Sequence, residues 1–339
     1  MRVVKVSRPG GPESLVVGSV PLPAPGHGEA LVEVAAAGVN NADLLQRAGL
    51  YPPPPGAPDW PGLEISGRIV ALGDPAPESS DAGPAPLDQA GRWVVGDEVC
   101  ALLAGGGYAE HVVVPLGQLL PVPAGIGLVE AAALPEAACT VWSTLVGAAG
   151  LHGGEWLLVH GGSGGIGSIA VQVGVALGAH VATTAGGAAR GARCAELGAE
   201  LVVDHRSQDF VELVRAATGG AGVDVVLDVV GGAYLRRNLD ALAVGGRLAV
   251  IGMQQGRRAE LDLGSLLSKR LTVLGTTLRS RPAHEKTAIV AAVREHVWPM
   301  VQARRVLPVV HEVLPLAEAA RAHELLASGE VFGKLLLVP

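Results

Sequence analysis

The chain has 339 residues, a length that suggests about two domains, and a formal net charge of −7. A hydrophobic content of 49% is ample for real cores, and the acidic balance with no basic stripe argues against nucleic acid as a main partner. The opening residues MRVVKVSRPG hold no apolar signal core, so no membrane or export signal is expected there.

Residues 1–123 are built from short apolar runs: Arg2–Val6, Ser14–Val20, Ala30–Val39, Glu64–Leu72, Glu98–Leu103 and Tyr108–Val114. Pro and Gly separate them, which predicts a β-rich domain around a barrel-like core. Asn41–Ala48 reads as one or two helical turns. Tyr51–Pro61 (YPPPPGAPDWP) is expected to be a rigid extended loop, because proline fixes φ and removes donors. Asp74–Gly91 has one large apolar residue, Leu87, and reads as an exposed, mobile insertion. The longest charge-free apolar stretch outside the glycine-rich region, Ala137–Gly154, is broken by Thr140, Ser143, Thr144 and four glycines. It therefore reads as buried helix and turn, not a membrane span. Cys100, Cys139 and Cys194 are far apart and read as small buried hydrophobes in a reducing, hence cytoplasmic, compartment.

From residue 124 the pattern changes to alternating helices and strands. Glu130–Val146 is expected to be helical in two pieces around Pro135. Glu155–His160 is an apolar run of buried-strand type, and Gly161–Gly167 is mostly glycine. Ile169, Val171, Val173, Val175 and Leu177 then lie in a segment long enough for about three helical turns. In that strand–turn–helix context Gly162-x-Gly164-x-x-Gly167 has the spacing of a dinucleotide fingerprint. One glycine permits a tight turn, one lets the backbone approach a pyrophosphate, and one lets helix pack on strand. The helix N-terminus then offers free N–H groups to the phosphates. The competing reading is a plain glycine turn in a chain with 48 glycines.

Strand His180–Ala185 follows, then helix Ala188–Leu197, strand Leu201–Asp204, helix Gln208–Ala217 and strand Asp224–Val230. Helix Ala233–Leu242 and strands Arg247–Ile251 and Arg270–Leu278 complete the series. This alternation predicts an α/β fold with a doubly wound parallel sheet. The ligand belongs at the carboxyl ends of its strands, which carry His160–Gly167, Val230–Gly232, Gly252–Gln255 and Thr276–Arg279. The second strand ends in Thr183-Thr184-Ala185-Gly186-Gly187, with no acid to bind a ribose 2′-hydroxyl, and Arg190 and Arg193 follow. An arginine there suits a 2′-phosphate, so NADP(H) is favoured over NAD; both arginines also fit a solvated helix surface. Two amphipathic helices, near His284–Arg304 and Leu316–Ser328, and a last strand, Lys334–Val338, close the chain. That strand needs an edge, and the N-terminal β-rich region is its expected partner.

Gly38-Val39-Asn40-Asn41-Ala42-Asp43, Tyr51 through Gly56, Gly62-Leu63-Glu64-Ile65-Ser66-Gly67, Leu134-Pro135-Glu136-Ala137 and His160 through Gly167 occur in this order. In combination they resemble the zinc-free branch of the medium-chain dehydrogenase/reductases, the zeta-crystallin group of quinone oxidoreductases. The resemblance implies a GroES-like catalytic domain (residues 1–123 and 283–339) and a Rossmann NADP-binding domain (124–282), with the active site in the cleft between them. It implies a homodimer through the strand near Leu271–Leu278. It also implies NADPH-dependent reduction of a small-molecule quinone, with reduction of an activated C=C in an enone, or a non-catalytic NADPH-binding role, as alternatives.

Zinc-dependent relatives carry Cys after the Gly-Val pair and His in a Gly-His-Glu motif; Asn40 and Leu63 stand there, so no metal is expected. Without a Lewis acid an alcohol is hard to deprotonate, whereas a quinone or enone is already electrophilic. Tyr51 is expected to donate a hydrogen bond to the substrate carbonyl, and Asn40 to offer its amide to nicotinamide or substrate. The alternative for Tyr51 is a packing aromatic, and for Asn40 a helix N-cap. Glu64 reads as a structural acid tied to backbone N–H groups. Thr140, Gly161, Gly162, Gly164, Gly165, Ile166, Gly167, Arg190, His205, Val230, Gly252, Met253, Thr277 and Leu278 are the expected cofactor residues. Tyr51, Trp60, Leu63 and Met253 are the expected lining of the substrate site, though each of the last three also suits a core.

Overall fold

A computed structural model describes residues 1–74 and 93–339. Beyond Asp74 the expected insertion lies outside the described residues. The chain packs as two units. One comprises Met1–Cys139, Arg279–Trp298 and Val310–Pro339; the other comprises Thr140–Leu278 and Pro299–Val309.

The first unit is built on one long strand, Glu29–Val39. Nearly every residue of it is buried or half-buried, so both faces are covered. It pairs antiparallel with Glu64–Leu72 on one side, and two register shifts bend that pair. Its first half also pairs with His111–Pro115 and its last residues with Lys334–Val338. Glu98–Leu102 and Leu119–Pro121 extend the sheet from Glu64–Leu72. The chain's last strand reads KLLLV, four apolar residues after one lysine, because it is paired on both edges and buried on both faces. Its second partner, Val310–Pro315, was not expected as a strand; its alternating exposure and its His and Glu hide it in the sequence. Val32, Val34, Ile65, Ile69, Val112, Leu335 and Leu337 form the core, each contributing roughly 1.5–3 kcal/mol by burial.

The second unit is a six-stranded sheet in which every pairing is parallel. Its spatial order is Leu201–Asp204, His180–Ala185, Trp156–His160, Val223–Asp228, Leu242–Val250, Thr272–Gly275. The third, second and first strands in sequence are thus followed by the fourth, fifth and sixth, the doubly wound order expected of a Rossmann fold. The order reverses between Trp156–His160 and Val223–Asp228, and there neighbouring carboxyl ends diverge to leave a crevice. Leu158, Ala182, Val203, Val226 and Leu248 bring the strands into one core with Phe210, Val214 and Leu239 from the helices.

Several bounds differ from expectation. The helical region around Pro135 continues into a π-helix, Trp142–Ala148, whose carbonyl end is capped by the Arg247 guanidinium on Ala149 and Gly150. The last sheet strand covers only Thr272–Gly275, because Arg270 turns with φ 51 just before it. A short helix, Leu263–Ser268, precedes it. The expected helix near His284–Arg304 is two helices, Ala283–His296 and Trp298–Gln302, since Pro299 lacks the N–H that continuity needs. Among the described residues no helix is long and apolar enough to cross a membrane.

Candidate active site

The glycine turn begins with Gly161 at φ +74, a conformation that strains any side chain. A Cβ on Gly162 would collide with the Thr183 hydroxyl, and one on Gly167 with the Gly161 carbonyl. Gly164 differs: its nearest neighbour on that side is the Gly161 oxygen at 3.4 Å. Gly162 and Gly167 therefore pack the turn against strand and helix, while Gly164 keeps an open face. The helix Gly165–Ala176 starts from Gly164 with no side-chain cap. The N–H groups of Gly165, Ile166 and Gly167 have no intrahelical acceptor and lie at the positive end of the helix dipole. An uncapped, half-exposed helix start beside an open glycine fits a pyrophosphate.

A buried polar chain fixes this turn from below. Gly161 N–H donates to Thr184 Oγ1 at 3.1 Å, and Gly162 N–H to the Thr184 carbonyl at 3.0 Å. His160 Nε2 lies 2.7 Å from Asn238 Oδ1, and Nδ1 lies 3.2 Å from Thr184 Oγ1. Because Oδ1 only accepts, Nε2 carries the proton and Nδ1 accepts from the Thr184 hydroxyl. Burial lowers the His160 pKa to about 4, so the ring is neutral. Phe210 and Tyr234 meet the ring edge-on at 4.7 and 5.0 Å. This role for His160 is not legible in the sequence, since its partners lie 24 and 78 residues away.

Past the second strand, three basic side chains converge on one point. A methyl group on Gly186 would meet Arg206 Nε at 3.0 Å, His205 Nε2 at 3.0 Å and Arg190 Nη2 at 3.1 Å. Arg190 is held in place by its Nε, which donates to the Gly186 carbonyl at 2.7 Å. The Asp204 carboxylate is turned to the backbone, accepting from Gly187 and Arg206 N–H at 3.1 and 3.0 Å. Those bonds hold its pKa below the usual carboxylate value. A small basic pocket over a residue without a side chain fits a phosphate dianion. Arg190 and His205 were expected here; Arg206 was missed, although it directly follows His205. Arg193 is exposed and does not join them.

Among the remaining expected cofactor residues, Val230 has its backbone committed. Its N–H donates to the Asp228 carboxylate at 2.7 Å and its carbonyl accepts from Gln255 N–H at 2.8 Å, leaving its side chain for any ligand. Asp228 is buried, and burial raises its pKa to about 6. A Cβ on Gly252 would lie 2.8 Å from the Val229 carbonyl. Met253 is 54% exposed and Thr277 is exposed, whereas Leu278 is buried. Thr140 is half-buried near the end of the helix Pro135–Val141.

In the first unit the sequence motifs prove to be parts of one polar cluster. Asn40 caps the helix Asn41–Arg47, and its N–H donates to the Asp43 carboxylate at 2.8 Å. Its side-chain amide reaches elsewhere: Nδ2 donates to Glu64 Oε1 at 2.9 Å, and Oδ1 accepts from Lys334 Nζ at 2.6 Å. Lys334 is also ion-paired with Glu64, and Glu64 Oε2 accepts from Glu136 N–H at 2.9 Å. Glu64 was expected to bind backbone N–H groups; it binds one, and its other partners are an ammonium and an amide. Gly38 is required because a Cβ there would strike the Glu64 carboxylate. Gly62 at φ +108 is required because a Cβ would come within 2.5 Å of Tyr108 N.

Tyr51 is half-buried, and the Arg279 guanidinium lies 5.2 Å from its ring centroid. Among the described residues its hydroxyl has no hydrogen-bond partner. Arg279 fastens the proline loop, donating to the carbonyls of Ala104 (2.7 Å) and Tyr51 (3.2 Å) and to Gln46 Oε1 (2.6 Å). Trp60 is half-buried with its indole N–H on the Gly106 carbonyl at 3.0 Å. Leu63, expected to line a substrate surface, is 1% exposed and closed off.

Asp43 is tied further: Gly62 N–H and the Tyr108 hydroxyl donate to it, and Tyr108 meets His323, which meets Arg47. Burial raises the Asp43 pKa to about 6 and lowers that of His323 to about 3. Lys334 and His323 were not found from the sequence, and Arg279 was expected only within the strand end Thr276–Arg279, because nothing local relates the three to Tyr51, Glu64 or Asp43. A zinc ion does not fit this cluster: Leu63 offers no donor, and the Lys334 ammonium occupies the Asn40 oxygen that a cation would need.

Two family models match the chain: "Alcohol dehydrogenase GroES-like domain" over residues 26–124 and "Zinc-binding dehydrogenase" over 165–294. A rat quinone oxidoreductase is 30% identical over 344 aligned positions, covering 100% of this chain and 98% of the relative. The chain belongs to the quinone oxidoreductase family of the medium-chain dehydrogenase/reductases. Solved structures of similar architecture include a quinone oxidoreductase and an enoyl reductase. Escherichia coli quinone oxidoreductase complexed with NADPH is 29% identical with a TM-score of 0.85, each chain covered in full. The CurK enoyl reductase is 25% identical with a TM-score of 0.84, covering 99% of this chain and 98% of that one.

Proposed function

We propose that this oxidoreductase uses NADPH to reduce a quinone without a metal ion. The observation that carries the cofactor half is the convergence of Arg190, His205 and Arg206 over Gly186, past the carboxyl end of the strand that pairs in parallel with the one leading into the open glycine turn. NADPH, when bound, supplies hydride. The chain's own residues supply the rest. The helix start at Gly165, Ile166 and Gly167 holds the pyrophosphate, and the basic pocket holds the 2′-phosphate. Thr140, Val230, Gly252, Met253 and Thr277 complete the cofactor surface, with Leu278 behind it.

Tyr51 presents a hydroxyl unclaimed among the described residues, on a loop that Arg279 and its prolines keep rigid. It donates a hydrogen bond to the acceptor carbonyl, where negative charge grows as hydride arrives. Asn40 donates its remaining amide hydrogen to a ligand oxygen. Trp60 and Met253 supply apolar surface, and orientation rather than covalent chemistry supplies most of the rate. The same reading makes residues 1–123 and 283–339 the catalytic domain, residues 124–282 the cofactor domain, and the protein a cytoplasmic homodimer.

A second reading, reduction of an activated C=C in an enone, is favoured by the likeness to CurK enoyl reductase. NADPH oxidation measured against a quinone panel and a 2-enal panel separates the two. The quinones are expected to be turned over faster, and Tyr51→Phe to lower quinone kcat about tenfold at unchanged NADPH affinity. Faster turnover of the enals favours the second reading. NADPH binding without turnover of either panel indicates a non-catalytic binding protein, and unchanged kcat in the variant removes Tyr51 from the mechanism.

A further inference from the structure

Asn40, Glu64 and Lys334 lie on three separate segments and meet in the interior of the first unit, with Glu64 0% and Lys334 3% exposed. We propose that Lys334 is a positioning residue: with Glu64 it locks the Asn40 amide in the one orientation that keeps an N–H, rather than the carbonyl oxygen, for a ligand oxygen. The inference rests on the reading of Asn40 as a ligand-facing group.

The chemistry of the partners sets the orientation. An ammonium only donates, and Lys334 Nζ lies 2.6 Å from Asn40 Oδ1. A carboxylate only accepts, and Glu64 Oε1 takes one Nδ2 hydrogen at 2.9 Å. Rotating the amide by half a turn would set N–H against ammonium and oxygen against carboxylate. Both charges are buried, so water does not soften that penalty. The carboxylate is itself held, because Oε2 accepts from Glu136 N–H at 2.9 Å and the missing Cβ of Gly38 leaves room for its stem. Among the described residues the second Nδ2 hydrogen has only the Gly38 carbonyl, at 3.5 Å, the outer limit of a hydrogen bond. The group left over is therefore a donor. It suits a carbonyl oxygen, of the acceptor or of the nicotinamide carboxamide, and does not suit an N–H or hydroxyl hydrogen.

The competing role is a plain buried ion pair that only stabilises the fold. Lys334→Met and Glu64→Gln each leave one buried charge unpaired and are expected to lower the melting temperature; the double variant removes both charges. In the double variant the melting temperature is expected to return close to wild type. Hydrogen exchange of the Asn40 side-chain amide, followed by nitrogen-15 NMR on the full chain and identified by its loss in Asn40→Ala, is expected to quicken about tenfold, and quinone kcat to fall about tenfold. Wild-type exchange in the double variant overturns the proposal, as does faster exchange with unchanged kcat. Failure of the wild type to turn over any quinone or enone counts against the functional reading alone, and the exchange rates still decide whether Lys334 orients Asn40.

Discussion

Glu136 holds a proton that an unfolded chain would have lost. Burial first, and the nearby Glu64 second, raise its pKa from 4.5 to about 8. A raised carboxyl binds more protons in the folded state, so its stabilising effect is full below pH 4.5 and lost as pH rises to 8. Asp43 and Asp228 act in the same direction only up to about pH 6. His160 and His323 act in the opposite direction, and only below pH 6.5, where an unfolded imidazole charges and theirs do not. Between pH 6.5 and 8 Glu136 therefore dominates. Chemical unfolding across that window is expected to show stability falling by on the order of 1–2 kcal/mol, and Glu136→Gln to flatten the slope. An equal slope in the variant would place the raised proton affinity on another group. None of this is visible in Leu134-Pro135-Glu136-Ala137, because the shift comes from burial in the folded chain and from Glu64, 72 positions away.

Among the elements, those built by local rules were legible. The strand, turn and helix around Gly162 follow from an apolar run, glycine spacing and an uncapped helix start, all within one short stretch. Elements whose identity depends on distant partners were not. Val310–Pro315 is a strand because Lys334–Val338 lies beside it, and nothing in VHEVLP itself demands one. The strand Thr272–Gly275 bears on assembly. Among the described residues it pairs only with Leu242–Val250, which leaves its outer edge open there, with Val273 40% exposed. The helix before it exposes Leu263 and Leu267 at 61% and 76%. An open edge flanked by exposed leucines favours pairing with a second copy. Light scattering is expected to give twice the 34.3 kDa chain mass for the wild type and the single mass for Val273→Lys. A monomeric wild type, or a variant that stays dimeric, contradicts this assembly.

At the scale of the whole molecule, the two units divide the chemistry. The second unit carries the glycine turn and the basic pocket, whose fold order and motif were readable and whose third basic group, Arg206, was not. The first unit carries Tyr51, Asn40 and the buried pair of Glu64 with Lys334, where Tyr51, Asn40 and Glu64 were readable in the sequence and Lys334 was not. Isothermal titration of the full chain with NADPH and with NADH tests the cofactor assignment most directly. NADPH is expected to bind at one site per chain and about tenfold or more tighter than NADH, with Arg206→Ala narrowing that difference. Equal affinities for the two nucleotides, or no heat from either, would contradict it.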